Sequence, residues 1–386
     1  MRRLPSAATP ISNQDLFKAL YNSPLELEDC LKRFLNVKNL FLTGSGTSAI
    51  YIALETLKKL YPEKKTVLLP AYTAPVIKLA VDRAGLKIAL CEVSKRTFNM
   101  DLKSLPPLLF KDILCVMPVH LFGIPTDICE LKKVAGGLPI IEDAAQSLGS
   151  SIRGRKAGGI GDIGILSFHR GKNLSLYSGG AITTSSDDLA EGIKKGLNIL
   201  IPPCLKETFS NLLKLILVSK IVNPWVYGTL YPFISLFKSR DLHLSFALNG
   251  LTMPQIRAGG GIIKRLQELS NKRIENGVKL YHGLADIEGI TLPELPEDSE
   301  VAYNQFPVVF NDVDRVEIVI ERLWQQGIET SRLYLRPMHR IFDLGYPEDA
   351  FPVATWLANG LVLLPPHPVV TDRDIETMVG TIKNAA

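Results

Sequence analysis

Between about residues 41 and 184 the chain alternates short β-rich runs with helical stretches, and that rhythm points to a mostly parallel sheet sandwiched by helices. Residues 66–69, 87–90, 113–117 and 139–141 predict strands, each apolar enough to be covered on both faces. Residues 75–85 and 125–136 predict connecting helices, since each opens at a proline and closes at a glycine. Ligands of such a sheet gather at the carboxyl ends of its strands, so polar residues just after strands are the first candidates for chemistry.

Beyond residue 199 the rhythm stops. Residues 199–246 are rich in Leu, Ile, Pro and aromatics without strand alternation, which marks an insertion. Ile262, Leu266 and Leu269 then recur at helical spacing, ahead of Arg273 and Glu275, and predict a long helix leaving the large domain. A strand at 306–310, a helix around 316–326 and a last helix after Thr371 complete a smaller α+β C-terminal domain. With 386 residues the chain has room for two domains, expected as 1–260, including the insertion, and 261–386.

Charge and cysteine usage narrow the class. The 44 Lys and Arg against 39 Asp and Glu leave a net charge of +5, with no run of like charges of the kind that binds nucleic acid. Cys30, Cys91, Cys115, Cys129 and Cys204 are scattered and lack C-x-x-C spacing, so neither a disulfide framework nor a metal site is expected. Arg2 and Arg3 are followed by polar residues and Pro10 rather than an apolar signal core, and a cytoplasmic location is expected. The most apolar stretch, 211–237, is interrupted by Lys214, Lys220, Pro224 and Pro232, and is read as non-spanning. It could pack on the core or at a dimer interface, cover the site as a lid, or touch a membrane surface as a peripheral contact.

Three runs carry chemistry. Thr43-Gly44-Ser45-Gly46-Thr47-Ser48-Ala49 precedes a helical stretch at 50–60, and small residues at a helix start let backbone N–H groups reach an anion such as a phosphate at Gly46 and Thr47. The alternative for such a turn is plain helix capping. In Ile140-Ile141-Glu142-Asp143-Ala144-Ala145-Gln146-Ser147, Asp143 stands at the end of a buried strand, where a carboxylate needs a cationic partner or backbone donors. Third, Ser167-Phe168-His169-Arg170-Gly171-Lys172-Asn173 places Lys172 directly after a strand. Alone it reads as a solvated loop lysine. Together the three runs supply what an aldehyde cofactor needs, namely one amine nucleophile, an acid for a ring nitrogen and an anion site.

The motifs in order make the resemblance specific. Gly46-Thr47-Ser48-Ala49, Pro70-Ala71-Tyr72-Thr73, Val119-His120-Leu121-Phe122-Gly123, Asp143 to Gln146, Ser167 to Lys172 and Gly179-Gly180-Ala181 resemble the DegT/DnrJ/StrS family of sugar aminotransferases, which are fold type I pyridoxal-phosphate enzymes. Phe351-Pro352-Val353-Ala354 and Leu364-Pro365-Pro366-His367-Pro368 resemble its C-terminal signature, so the likeness spans nearly the whole chain. It implies that Lys172 carries pyridoxal 5'-phosphate as a Schiff base and shuttles a proton. It implies further that Asp143 holds the ring nitrogen protonated, that Gln146 lies near the ring's 3-oxygen, and that Gly46, Thr47 and Ser167 bind the phosphate. The expected reaction moves an amino group from an amino acid donor such as glutamate to a nucleotide-linked keto sugar, in polysaccharide or secondary-metabolite biosynthesis. The expected assembly is a homodimer sharing its active sites.

The sequence departs from the family in three places. Many members place an aromatic after the P-x-x-T threonine to stack on the cofactor, whereas this chain has Ala74, with Tyr72 as a possible substitute. The N-Y-R-like run whose Asn reaches the neighbouring subunit's phosphate is only loosely matched at Asn249, and the insertion before it exceeds the usual connection. The rivals are a pyridoxal-phosphate sugar dehydratase, whose best-known members carry histidine in place of the lysine, and a non-catalytic cofactor-binding regulator. His120, His169 and His339 are candidates either for the cleft or for packing. Arg153, Arg155, Arg336 and Arg340 are candidates for a diphosphate or a donor carboxylate.

Overall fold

The computed structural model describes residues 2–104, 111–236 and 246–385. Residues 237–245, which include the end of the 211–237 stretch and part of the 199–246 insertion, lie outside the described residues. Two helices, α1 (Asn13–Tyr21) and α2 (Leu25–Leu35), precede the first strand. The main sheet then takes β1 (Asn39–Thr43), β2 (Thr66–Pro70), β3 (Lys87–Cys91), β4 (Ile113–Val116) and β5 (Ile141–Asp143). A short hairpin follows, β6 (Ser151–Ile152) and β7 (Arg155–Lys156), and β8 (Ile163–Ser167) and β9 (Gly180–Thr184) complete the sheet.

Ladders run β1-β9-β8-β5 and β3-β2-β4, and parallel bridges from Val116 to Ile140 and from Val119 to Asp143 join them edge to edge. β2 is parallel to β3 and β4, and β5 is parallel to β8, as the sequence rhythm predicts. β9 is antiparallel to both of its neighbours. Helices α3 (Gly46–Leu60), α4 (Val76–Arg83), α5 (Ile128–Val134) and α6 (Asp187–Gly196) flank the sheet. Their starts are written locally: Ser45 Oγ accepts from Ser48 N at 3.0 Å, and Asp127 accepts from Glu130 N at 3.1 Å. Leu69, Ile141, Ile165 and Ile182 are fully buried between the layers. Each such side chain contributes roughly 1.5–3 kcal/mol relative to exposure.

The insertion forms a helical hairpin, α7 (Leu205–Ile221) and α8 (Pro224–Leu236). No helix among the described residues is long and apolar enough to cross a membrane. After α9 (Met253–Ile262), the expected long helix is α10 (Leu266–Leu284). A second sheet then takes β10 (Ile290–Thr291), β12 (Phe306–Phe310) and β13 (Leu361–Leu364), while β11 (Ser299–Glu300) pairs back onto β6. Helices α11 (Asp314–Gln325), α12 (Met338–Ile341), α13 (Pro352–Gly360) and α14 (Asp372–Lys383) complete this smaller α+β part.

The N-terminal residues tie the two parts together. Leu4 is fully buried and bridges Ile328, Arg2 pairs with Asp374 at 2.6 Å, and His367 Nε2 donates to Pro5 O at 2.8 Å. Four residues further on, Thr9 Oγ1 donates to the backbone carbonyl of Lys172 at 2.5 Å.

Candidate active site

Adjacent side chains of a strand point to opposite faces, and β5 uses this to place two carboxylates in different roles. Glu142, fully buried, is saturated: its Oε1 accepts from His120 Nε2 at 2.8 Å and Gly158 N at 2.7 Å, and its Oε2 accepts from Ile160 N and Gly161 N at 2.8 Å each. Burial alone would raise its pKa, but the His120 hydrogen bond and the Gly158 and Gly161 donors outweigh it and hold the carboxyl below its ordinary value. His120 Nδ1 in turn accepts from Thr126 N at 2.8 Å, so this histidine is a locked packing residue.

Asp143 has no such saturation. Its Oδ1 accepts from Ala145 N at 3.0 Å, and burial raises its pKa against the pull of that N–H and of the charge on Lys172. A buried carboxylate left in this state calls for a cationic partner. Lys172 is within electrostatic reach of it, its pKa pulled down to about 8 by desolvation while Asp143 pulls it upward. No hydrogen bond or close ion pair holds the Lys172 Nζ among the described residues.

The backbone around Lys172 is fixed from several directions. Besides the Thr9 bond, Asn304 Nδ2 donates to Gly171 O at 2.5 Å, and Gly171 adopts φ +78°, which favours glycine. Asn173 Nδ2 donates to Leu148 O at 2.8 Å and Ala302 O at 2.7 Å. Arg273 is fully buried and donates to Ala8 O at 2.7 Å and Tyr303 O at 3.0 Å, which steadies the segment carrying Thr9.

The third component is the start of α3. The first N–H groups of a helix have no intrahelical acceptor, and here those of Gly46 and Thr47 lie beside β8. A Cβ on Gly46 would sit 3.2 Å from Ser167 Cβ and 3.5 Å from its Oγ, so the hydroxyl and the helix start share one small space. Donors of this kind fit a phosphate group. Gln146 lies on the turn after Asp143, where its Oε1 accepts from Phe122 N at 3.0 Å and its Nε2 reaches Tyr334 Oη at 3.5 Å. Tyr334 is the neighbour that the sequence did not reveal: burial and the Asp143 charge both raise its pKa, and its ring lies 5.6 Å from that of Tyr72.

Other candidates fall elsewhere. Tyr72 is fully buried, with no hydrogen-bond partner for its hydroxyl among the described residues, while Ala74 offers no ring. Arg153 pairs with Asp127 at 2.6 Å, and Arg155 reaches Gly159 O at 3.4 Å, so both are engaged on or beside the β6–β7 hairpin. His169 reaches solvent, yet enclosure and the charges of Lys172 and Arg170 favour its neutral form. His339, Arg336 and Arg340 line a cavity of about 440 Å³, where His339 Nε2 and Arg340 Nε both donate to Glu348 O at 3.0 Å. A second cavity, of about 480 Å³, lies beside Arg83 and Asn249. Lys172 lines neither, and the convergence of amine, carboxylate and anion donors marks the site better than cavity size. Asn249 donates from Nδ2 to Glu207 Oε1 at 2.8 Å, so its amide is engaged within its own chain.

The model of the DegT/DnrJ/EryC1/StrS aminotransferase family matches residues 5–211 and 239–383. The chain is similar to uncharacterized protein MJ1066 of Methanocaldococcus jannaschii, 27% identical with 93% of this chain and 89% of that protein covered. It is also similar to the UDP-N-acetyl-3-dehydro-alpha-D-glucosamine 3-aminotransferase of Acidithiobacillus ferrooxidans, 25% identical over 88% of this chain and 82% of that one. In fold it matches the E. coli GDP-4-keto-6-deoxy-D-mannose-3-dehydratase with bound hydrated PLP, at a TM-score of 0.78, 15% identity and 99% coverage of both chains. The chain therefore belongs to the DegT/DnrJ/EryC1/StrS aminotransferase family of fold type I pyridoxal-phosphate enzymes.

Proposed function

We propose that Lys172 holds pyridoxal phosphate and that the enzyme transfers an amino group from an amino acid, with glutamate the expected donor, to a nucleotide-linked keto sugar. The observation that carries this reading is the unsaturated, buried Asp143 in electrostatic reach of the depressed amine of Lys172, with Ser167 of the same segment against the start of α3. Once bound, the cofactor supplies an electrophilic aldehyde and an electron-accepting ring.

The protein's own groups do the rest. The N–H groups of Gly46 and Thr47 and the Ser167 hydroxyl bind the phosphate dianion. Asp143 keeps a proton on the ring nitrogen, and that cation gives the buried carboxylate the partner it lacks. Gln146, held by Phe122 N, presents its amide beside the ring. With a pKa of about 8, roughly a tenth of Lys172 is unprotonated at pH 7, against well under a thousandth at an ordinary lysine pKa. The same Nζ can then take a proton from the substrate carbon and return it. Residues 1–260 form the unit that carries these groups and 261–386 the smaller unit beside it, and two copies form a homodimer.

The substrate class is supported by the named activity of the Acidithiobacillus relative. The dehydratase similarity keeps deoxygenation as the second reading, and Lys172 favours amino transfer over it. Purified protein should absorb in the visible or near-ultraviolet, borohydride should fix the cofactor on the peptide containing Lys172, and glutamate should convert it to pyridoxamine phosphate. Wild-type turnover by Lys172→Ala protein would refute the assignment of the lysine. Failure of every amino donor in the half-reaction would refute amino transfer.

A further inference from the structure

The family match stops at residue 211 and resumes at 239, so most of the α7–α8 hairpin lies outside the matched residues. One side of it is fastened to the body. Leu215 is fully buried, Asn211 Nδ2 donates to Gln255 Oε1 at 3.2 Å, and Lys220 Nζ donates to Asn13 Oδ1 at 2.8 Å. Tyr227 Oη donates to Glu329 Oε2 at 2.6 Å, and the Tyr231 ring lies 4.5 Å from that of Trp324.

The opposite side is apolar and open. Leu213, Ile216 and Leu217 follow helical spacing on α7, as Trp225, Phe233 and Leu236 do on α8, and these six are between 39% and 78% exposed. Exposed Lys206 lies seven residues before Leu213, and exposed Lys220, at the rim where its Nζ also meets Asn13, lies seven after it, so a cation stands at each end of the α7 stripe. From residue 208 to residue 240 the sequence has no Asp or Glu but contains Lys214, Lys220, Lys238 and Arg240.

We propose that this face docks the enzyme on a lipid surface bearing anionic headgroups. Its helices, 17 and 13 residues long with Pro232 inside the second, are shorter than the ~20 apolar residues that span a bilayer. Lying in the plane of the interface, they sink apolar side chains below headgroup level while the lysines meet the negative charge. Trp225 suits that boundary, where one part of the ring is wet and the other apolar. A second copy fits this face less well. Two-fold pairing through it sets the patch against itself and brings its acid-free cations together.

The test is sedimentation of the holoenzyme with vesicles of phosphatidylcholine containing one third phosphatidylglycerol, beside vesicles of phosphatidylcholine alone. Wild-type protein should partition to the anionic vesicles and be released by salt. Combining Leu217→Ser, Trp225→Ser and Phe233→Ser should lower partitioning at least about tenfold, and Lys206→Gln and Lys220→Gln about fivefold each. All variants should keep cofactor absorbance and the half-reaction with an amino donor, which establishes that they are folded. Wild-type protein left in the supernatant with anionic vesicles overturns the proposal. So does a triple-serine variant that binds like wild type, or one whose only defect, by light scattering, is loss of the dimer.

Discussion

Glu142→Gln tests whether the back of the site is as tightly organised as its geometry implies. Each carboxylate oxygen accepts two bonds, from His120 and Gly158 on one side and from Ile160 and Gly161 on the other. An amide in the same place must turn an NH2 toward one of these pairs. His120 cannot relieve the clash by changing tautomer, because its Nδ1 already accepts from Thr126 N. Two charge-assisted bonds are therefore lost whichever way the amide lies, at about 1.5–3 kcal/mol each, for a total of about 3–6 kcal/mol. That is a large part of the ~5–15 kcal/mol that stabilises a typical domain.

Urea denaturation at pH 7, followed by circular dichroism, measures the loss. The pH dependence supplies a second check. Because the folded carboxyl is held below its ordinary value, the unfolded chain binds more protons in the window between the two. The stability contributed by Glu142 is thus fully present above the ordinary glutamate range and is lost as pH falls through the depressed folded value. The gap between wild type and Glu142→Gln should narrow on acidification. A loss under about 1 kcal/mol at neutral pH, or a gap that widens in acid, would refute the reasoning.

On the proposed assignment, reloading of cofactor-free protein requires an unprotonated Lys172, so its rate should rise with pH and level off above about 8. Asp143→Asn removes the charge that raises this pKa and should move the midpoint lower, whereas a midpoint near the unperturbed 10.5 contradicts the site's electrostatics. Gly46→Val places a Cβ 3.2 Å from that of Ser167 and should weaken cofactor binding at least about tenfold in an absorbance titration, with little change in the stability of the cofactor-free protein. Arg273→Met leaves the Ala8 and Tyr303 carbonyls without their buried donor and should cost about 2–4 kcal/mol in denaturant.

What the sequence made legible was local. The strands at 66–69, 87–90 and 113–117 appear within a residue of their predicted ends, because buried parallel strands are written as short apolar runs. The 139–141 strand is the exception: the observed strand is Ile141–Asp143, beginning where the predicted one ends, because acidic residues conceal its far end. The reversal of β9 is set by pairing with β1 and β8, and no pattern within its five residues records direction. Lys172 and Asp143 stand out through motif and order. The groups that brace them do not, since Arg273 meets Ala8 from 265 positions away and Asn173 meets Ala302 from 129. His120 shows the same limit: its sequence neighbours allow either a cleft or a packing role, and only contact with Glu142 and Thr126 decides between them.

The N-terminal thread couples the backbone of the Lys172 loop to the smaller part of the molecule through a span whose half-buried middle is Ser6 and Ala7. Leu4 and Pro5 anchor in the smaller part, and Thr9 grips the carbonyl of Lys172 a few residues later. Cleavage within that short span would leave the sheet and the anion cradle untouched while freeing the backbone beneath the reactive amine. Loss of cofactor colour without loss of helix content would then report a clipped N-terminus before any gel resolved it.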